Sequence, residues 1–127
     1  MSFILKPGKN SAWRSRELKN LLTAFILHGK VEVSLPLARN NKKSNLTRSS
    51  AKFVSLAKKA NKEPEKKQHF YRLALCLVNK SIDKKGISKA FNSLGKKYCD
   101  RPGGFVRVIK SGSHKGDNSL RAIVTWV

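Results

Sequence analysis

Phe105-Val106-Arg107-Val108-Ile109-Lys110, then Ser111-Gly112-Ser113-His114-Lys115-Gly116-Asp117-Asn118, then Leu120-Arg121-Ala122-Ile123-Val124-Thr125-Trp126-Val127: these two β-branched runs flank a basic, glycine-bearing loop. β-Branched side chains fit the pleated surface of a strand, and two such runs joined through turn residues predict a hairpin. An earlier run, Val31-Glu32-Val33-Ser34-Leu35, alternates apolar and polar up to Pro36 and predicts a half-buried strand that completes a small sheet.

Outward from the hairpin the periodicity changes to that of helices. Over residues 84–98, Ile87, Ala90, Phe91, Leu94 and Tyr98 recur at helical spacing, with Asp83 or Ser81 available as a cap. Over residues 14–28, Leu18, Leu21, Leu22, Phe25 and Ile26 define another one-sided helix, with Ser11 as its cap and Gly29 as its stop. A short helix carries Phe53, Leu56, Ala57 and Ala60 on one side. After a break at residues 61–65, Pro64 is expected in the first turn of a further helix, where its missing N–H costs nothing and Glu63 and Glu65 meet the positive helix end. Residues 70–78 are apolar nearly all round apart from Arg72, so this helix is expected at the centre of the core. Residues 39–50 are polar and read as a basic loop. The fold class is α+β: about four helices packed on a small sheet made from one internal strand and a C-terminal hairpin. Residues 1–13 form a basic N-terminal arm and residues 14–127 a single domain, since 127 residues leave no room for a second core. No internal repeat is present.

Charge narrows the function. The chain has 28 Lys plus Arg against 7 Asp plus Glu, a formal net charge of +21 spread along its whole length. This exceeds what solubility asks of a small domain, and release of counterions from neutralised phosphates makes nucleic acid its most effective partner. With 39% hydrophobic residues the chain can still build a modest core, so it is not a disordered basic tail. Cys76 and Cys99 lack metal-ligand spacing and are expected as reduced thiols. The opening Met1-Ser2-Phe3-Ile4-Leu5-Lys6-Pro7-Gly8 falls short of a signal segment or membrane span, and a soluble protein is expected. There is no phosphate-cradling glycine loop and no pair of histidines at helical metal-ligand spacing, so no cofactor, metal or small-molecule substrate is expected.

Double-stranded RNA is recognised through backbone shape and 2′-hydroxyls, which suits many lysines and few base-reading side chains. Extended basic segments enter folded RNA where a flat face does not, which selects residues 1–16, 39–48 and 110–116. Within them the candidate RNA contacts are Lys6, Lys9, Arg14, Arg16, Lys42, Lys43, Arg48, Lys110, His114 and Lys115. Trp13 is expected to pack under the first helix in preference to stacking on a base. Arg101-Pro102-Gly103-Gly104 demands a tight turn, and Arg101 is either part of a plain connector or a phosphate clamp at that turn. Two rival functions remain: a DNA-binding or nucleoid protein, and a small ribonuclease pairing His114 with an acid.

Tyr98-Cys99-Asp100-Arg101-Pro102-Gly103-Gly104-Phe105-Val106-Arg107-Val108-Ile109-Lys110, followed by Lys115-Gly116-Asp117-Asn118, resembles the bacterial large-subunit ribosomal protein L17 family. Upstream, Arg14, Asn20-Leu21-Leu22-Thr23 and His28-Gly29-Lys30-Val31-Glu32 are similar to the family's first helix and strand, and Leu56-Ala57-Lys58 to its second helix. The Lys-Pro-Gly-Lys opening and Trp13 resemble members from wall-less bacteria. Two departures stand out: residues 1–10 hold less Arg and His than the family's start, and the segment between Ala38 and Phe53 is about five residues longer than the family pattern. The resemblance implies a structural, non-catalytic α+β protein of the cytoplasmic ribosome, bound to large-subunit ribosomal RNA near the exit side of the peptide tunnel, beside other large-subunit proteins. It also implies basic roles for Arg14, Arg101, Arg107, Lys110 and Lys115.

Overall fold

The computed structural model describes residues 8, 10–38 and 46–127. Lys6, Lys9, Lys42 and Lys43 therefore lie outside the described residues, as do most of the arm and residues 39–45 of the basic loop. The elements run α1 (Ser11–His28), β1 (Lys30–Ser34), a single turn α2 (Leu35–Ala38), α3 (Leu46–Lys62), a 3-10 turn (Pro64–Lys66), α4 (Lys67–Leu75), α5 (Lys84–Lys97), β2 (Val106–Ser113) and β3 (Leu120–Trp126). Helices and an antiparallel sheet share one core, as the α+β reading expects.

The three strands are ordered β1-β3-β2, so the C-terminal hairpin receives the internal strand on the outer side of β3. Val33 faces Ala122 and Val31 faces Val124 across one pair; Val106 faces Trp126 and Val108 faces Val124 across the other. These positions, two residues apart on each strand, make the face that packs on the helices. Trp126 lies flat on Phe25 of α1, with ring centroids 4.3 Å apart and planes 16° from parallel. Tyr98 closes the corner: its hydroxyl donates to the Val127 carbonyl at 2.7 Å, and its ring packs beside Phe105 and Trp126. The aromatic residues bracketing the Asp-Arg-Pro-Gly-Gly turn thus fasten the sheet to α5.

At the centre of the helical layer stands α3, which packs on α1, α2, α4 and α5 and reaches β2. Leu46, Ser50, Phe53, Val54, Ala57 and Ala60 form its buried stripe. Phe53 meets Phe91 of α5 edge-on at 5.7 Å. Gly95 makes the crossing of α3 and α5 close: a Cβ there would lie 2.8 Å from the Ala57 carbonyl oxygen.

Four expectations need correction. The helix containing residues 70–78 is not central: α4 buries only Ala74, and Leu73 is 42% exposed. A domain of this size lacks the material to cover an all-round apolar helix, so α4 takes the flank of α3. Residues 46–50 are helix and not loop, because Leu46 and Ser50 are buried and Ser50 returns its hydroxyl to the Leu46 carbonyl at 2.6 Å. α1 begins at Ser11, with Asn10 and not Ser11 as its cap: the Asn10 side chain accepts from the Trp13 N–H at 2.8 Å, and Trp13 in the first turn is 43% exposed. Pro64 opens a 3-10 turn ahead of α4, not an α-helical turn. The predicted stop at Gly29 holds, with φ +83° and its N–H closing on the Phe25 carbonyl, and Asp83 caps α5 through the Gly86 N–H at 3.0 Å.

Candidate nucleic-acid interface

The predicted cations inside the described residues, Arg14, Arg16, Arg48, Arg101, Arg107, Lys110 and Lys115, are all exposed, as is His114. The fold sorts them into separate groups. Arg101, Arg107, Lys110, His114 and Lys115 lie along the free outer strand β2 and its two ends: Arg101 in the turn before it, Arg107 and Lys110 within it, His114 and Lys115 at the hairpin tip. Eight residues of extended chain span about 26 Å, so this strand presents cations over the length of several nucleotides. Arg14 and Arg16 occupy the first turns of α1, and Arg48 the first turn of α3 beside Lys52 and Lys59.

Local geometry gives each part of the β2 group its place. The Arg101 guanidinium Nε donates to the Gly103 carbonyl at 3.0 Å, and Lys58 of α3 donates to the Arg101 carbonyl, so the turn is braced from both sides. Gly104, with φ +66°, completes the reversal. Arg107 pairs in register with Thr125 on the face opposite the core. The register then shifts between Lys110 and Gly112, a bulge that redirects the strand just before the loop. At the tip, His114 and Ser119 close the loop through backbone, Asn118 N–H returns to the His114 carbonyl at 2.7 Å, and the His114 Nδ1 accepts from the Gly116 N–H at 3.2 Å. Asp117 accepts from the Ser119 N–H at 3.0 Å, and the hydrogen bonds from Ser119 hold its carboxyl below the usual carboxylate range.

The acids are few and mostly occupied. Glu32 receives Arg121 at 3.4 Å and the Ser111 hydroxyl, Glu63 pairs with Lys66, Asp83 caps α5, and Asp117 caps the hairpin tip. His114 and Asp117 are neighbours at 3.4 Å, and both are spent on the tip's own turn. Among the described residues no group of three or more His, Cys, Asp or Glu side chains is placed to hold a metal, and no helix is long and apolar enough to cross a membrane. Cys76 and Cys99 are free thiols.

Two uses of cations escaped the sequence reading. Lys58 sits 5.2 Å from the centroid of the Phe105 ring and Lys97 5.1 Å from that of Tyr98, so these lysines support the corner that holds β2. Arg121 is committed to Glu32. The alternation of the sequence places Arg121 on the sheet face opposite Ala122, but its partner comes from a strand some ninety residues earlier and has no local signal.

A small sheet backed by helices, cations on nearly every element and few acids, four of them spent in caps and ion pairs, define a strongly basic α+β protein. The sequence model of the family described as ribosomal protein L17 matches residues 17–127. The chain is 32% identical over 127 residues to the large ribosomal subunit protein bL17 of Mesoplasma florum, covering the whole of both chains. It is 33% identical to that of Mycoplasma capricolum, again over all of both, and 33% identical to that of Mycoplasma pneumoniae over 98% of this chain and 94% of the relative. The chain belongs to the ribosomal protein L17 family. It is accordingly a structural constituent of the ribosome and not an enzyme.

Proposed function

We propose that this protein is built into the large subunit of a bacterial cytoplasmic ribosome, where it binds large-subunit ribosomal RNA near the exit of the peptide tunnel, beside other large-subunit proteins. The observation that carries the RNA-binding part is the formal net charge of +21 on the chain, with every described candidate cation exposed to solvent. Family membership supports the large subunit, and the family resemblance supports the tunnel-exit location. In this reading residues 14–127 act as one RNA-binding domain and residues 1–13 as a basic arm whose last three residues form the first turn of α1. The β2 strand with Arg101, Arg107, Lys110, His114 and Lys115 tracks an RNA backbone, while Arg14, Arg16, Arg48 and the lysines Lys6, Lys9, Lys42 and Lys43 reach further segments. Phosphate contacts of this kind position a protein on its RNA without reading sequence, so specificity comes from the shape of the folded RNA.

Sedimentation tests the assignment. Tagged protein expressed in its own cells is expected to co-sediment with large subunits on a sucrose gradient and to remain there through a wash at moderate salt. Release of the whole population into the soluble fraction at that salt would overturn it. A duplex-DNA preference equal to that for ribosomal RNA would favour the nucleoid reading instead.

A further inference from the structure

Where the first half of α1 approaches the end of α4, the surface folds inward into a cleft of about 590 Å³. Four cations line it: Arg16 and Lys19 from α1, Arg72 from α4 and Lys80 from the turn that follows. None of its lining residues is acidic, and its apolar lining comes from Leu75 and the nearly buried Val78. Four like charges around a concavity repel one another, and low-dielectric walls focus their potential inward, so the site favours an anion.

The cleft is held in shape by hydrogen bonds. The buried Thr23 hydroxyl donates to the Lys19 carbonyl at 2.7 Å and accepts the Asn79 N–H at 2.9 Å, tying α1 to the turn after α4. The Asn79 side-chain amide donates to Asn20 Oδ1 at 2.8 Å, and its own oxygen accepts from the Ser81 N–H and hydroxyl. A concave volume of several hundred cubic ångströms suits a small organic group, not the convex side of a duplex. An apolar wall, the Asn20 amide and four cations complement an unstacked nucleotide, which presents a base with hydrogen-bonding edges and a phosphate on each side.

We propose that this cleft seats one nucleotide looped out of ribosomal RNA, its flanking phosphates held by Arg16, Lys19, Arg72 and Lys80 and its base set against Leu75 within reach of the Asn20 amide. The inference rests on the ribosomal-RNA reading above and names a contact site within it.

Cys76 lines the same cleft and is exposed, which provides a reporter. In full-length protein carrying Cys99→Ser, the rate of Cys76 alkylation by N-ethylmaleimide is measured alone, with large-subunit ribosomal RNA, with polyphosphate and with polyglutamate. With RNA at about ten times its Kd, mass action predicts about tenfold slowing, with clearly less slowing by polyphosphate and little by polyglutamate. Arg72→Glu with Lys80→Glu is expected to lose that protection relative to its own RNA-free rate, whereas Lys62→Glu with Lys67→Glu, an equal charge reversal elsewhere, keeps it. Unslowed alkylation under saturating RNA, equal protection in both double variants, or equal protection by polyphosphate would overturn the cleft assignment; protection by polyglutamate alone would assign it to an acidic protein segment. Filter retention of the same RNA separates the two levels. Retained RNA with unprotected Cys76 sinks only the cleft, while no retention sinks the ribosomal-RNA reading and this inference with it.

Discussion

Gly95 shows how one missing side chain decides the distance between two helices. A Cβ at that position meets the Asn61 side-chain amide at 2.6 Å and the Ala57 carbonyl oxygen at 2.8 Å, and the second is backbone, which cannot swing aside. Gly95→Val is therefore expected to destabilise the fold by about 1–3 kcal/mol, read as a lower urea midpoint at unchanged slope; an unchanged midpoint would show that α3 and α5 do not cross so closely. At the hairpin tip, Asp117 accepts from Ser119 and titrates below the ordinary value of 3.8. A carboxyl whose folded pKa is depressed stabilises the folded form above its unfolded pKa, and that contribution disappears as pH falls through the folded value. The tip is thus expected to stay closed at mildly acidic pH and to open only in acid below 3.8. Amide exchange at Asn118 and Ser119 followed by NMR checks this, with Asp117→Asn expected to remove the acid transition.

Among the elements, α3 organises the helical core. Phe53 is fully buried where α3 meets α5, so Phe53→Ala is expected to cost about 3–5 kcal/mol. Leu73 on α4 is 42% exposed, and Leu73→Ala is expected to cost far less than Phe53→Ala, about 1 kcal/mol or below. Chemical denaturation of the two variants measures both, and a reversed order would return α4 to the centre. Alternation in β1, the β-branched runs of β2 and β3 on either side of a turn-rich loop, and helical spacing in α1 and α5 made those elements legible in the sequence. α4 misled because its apolar run exceeds what its neighbours can cover. The start of α3 was illegible because Thr47 and Ser50 are poor helix residues by local chemistry; burial of Leu46 and the bond from the Thr47 hydroxyl to the Ala38 carbonyl outweigh that preference. Of the β2 cations, Lys110, His114 and Lys115 are legible together because they are close in the chain, Arg101 through its turn and Arg107 through the family resemblance. Lys19, Arg72 and Lys80 come together only through folding, and the lone charge of Arg72 in an apolar run was their single local trace.

For the whole molecule, charge and compactness oppose each other. A formal +21 on a chain of 127 residues disfavours the folded state through self-repulsion, and polyanions that bind or screen it offset the cost. The thermal midpoint is expected to rise with sulfate and further with ribosomal RNA; equal midpoints with and without polyanion would mean that the lysines are not in tension. Crosslinking in cells addresses the account most directly: the protein is crosslinked in place, its attached RNA is sequenced, and the sites are compared with the lysate background. Sites confined to a few neighbouring segments of large-subunit ribosomal RNA are predicted, and crosslinks scattered over DNA and many unrelated RNAs would contradict it.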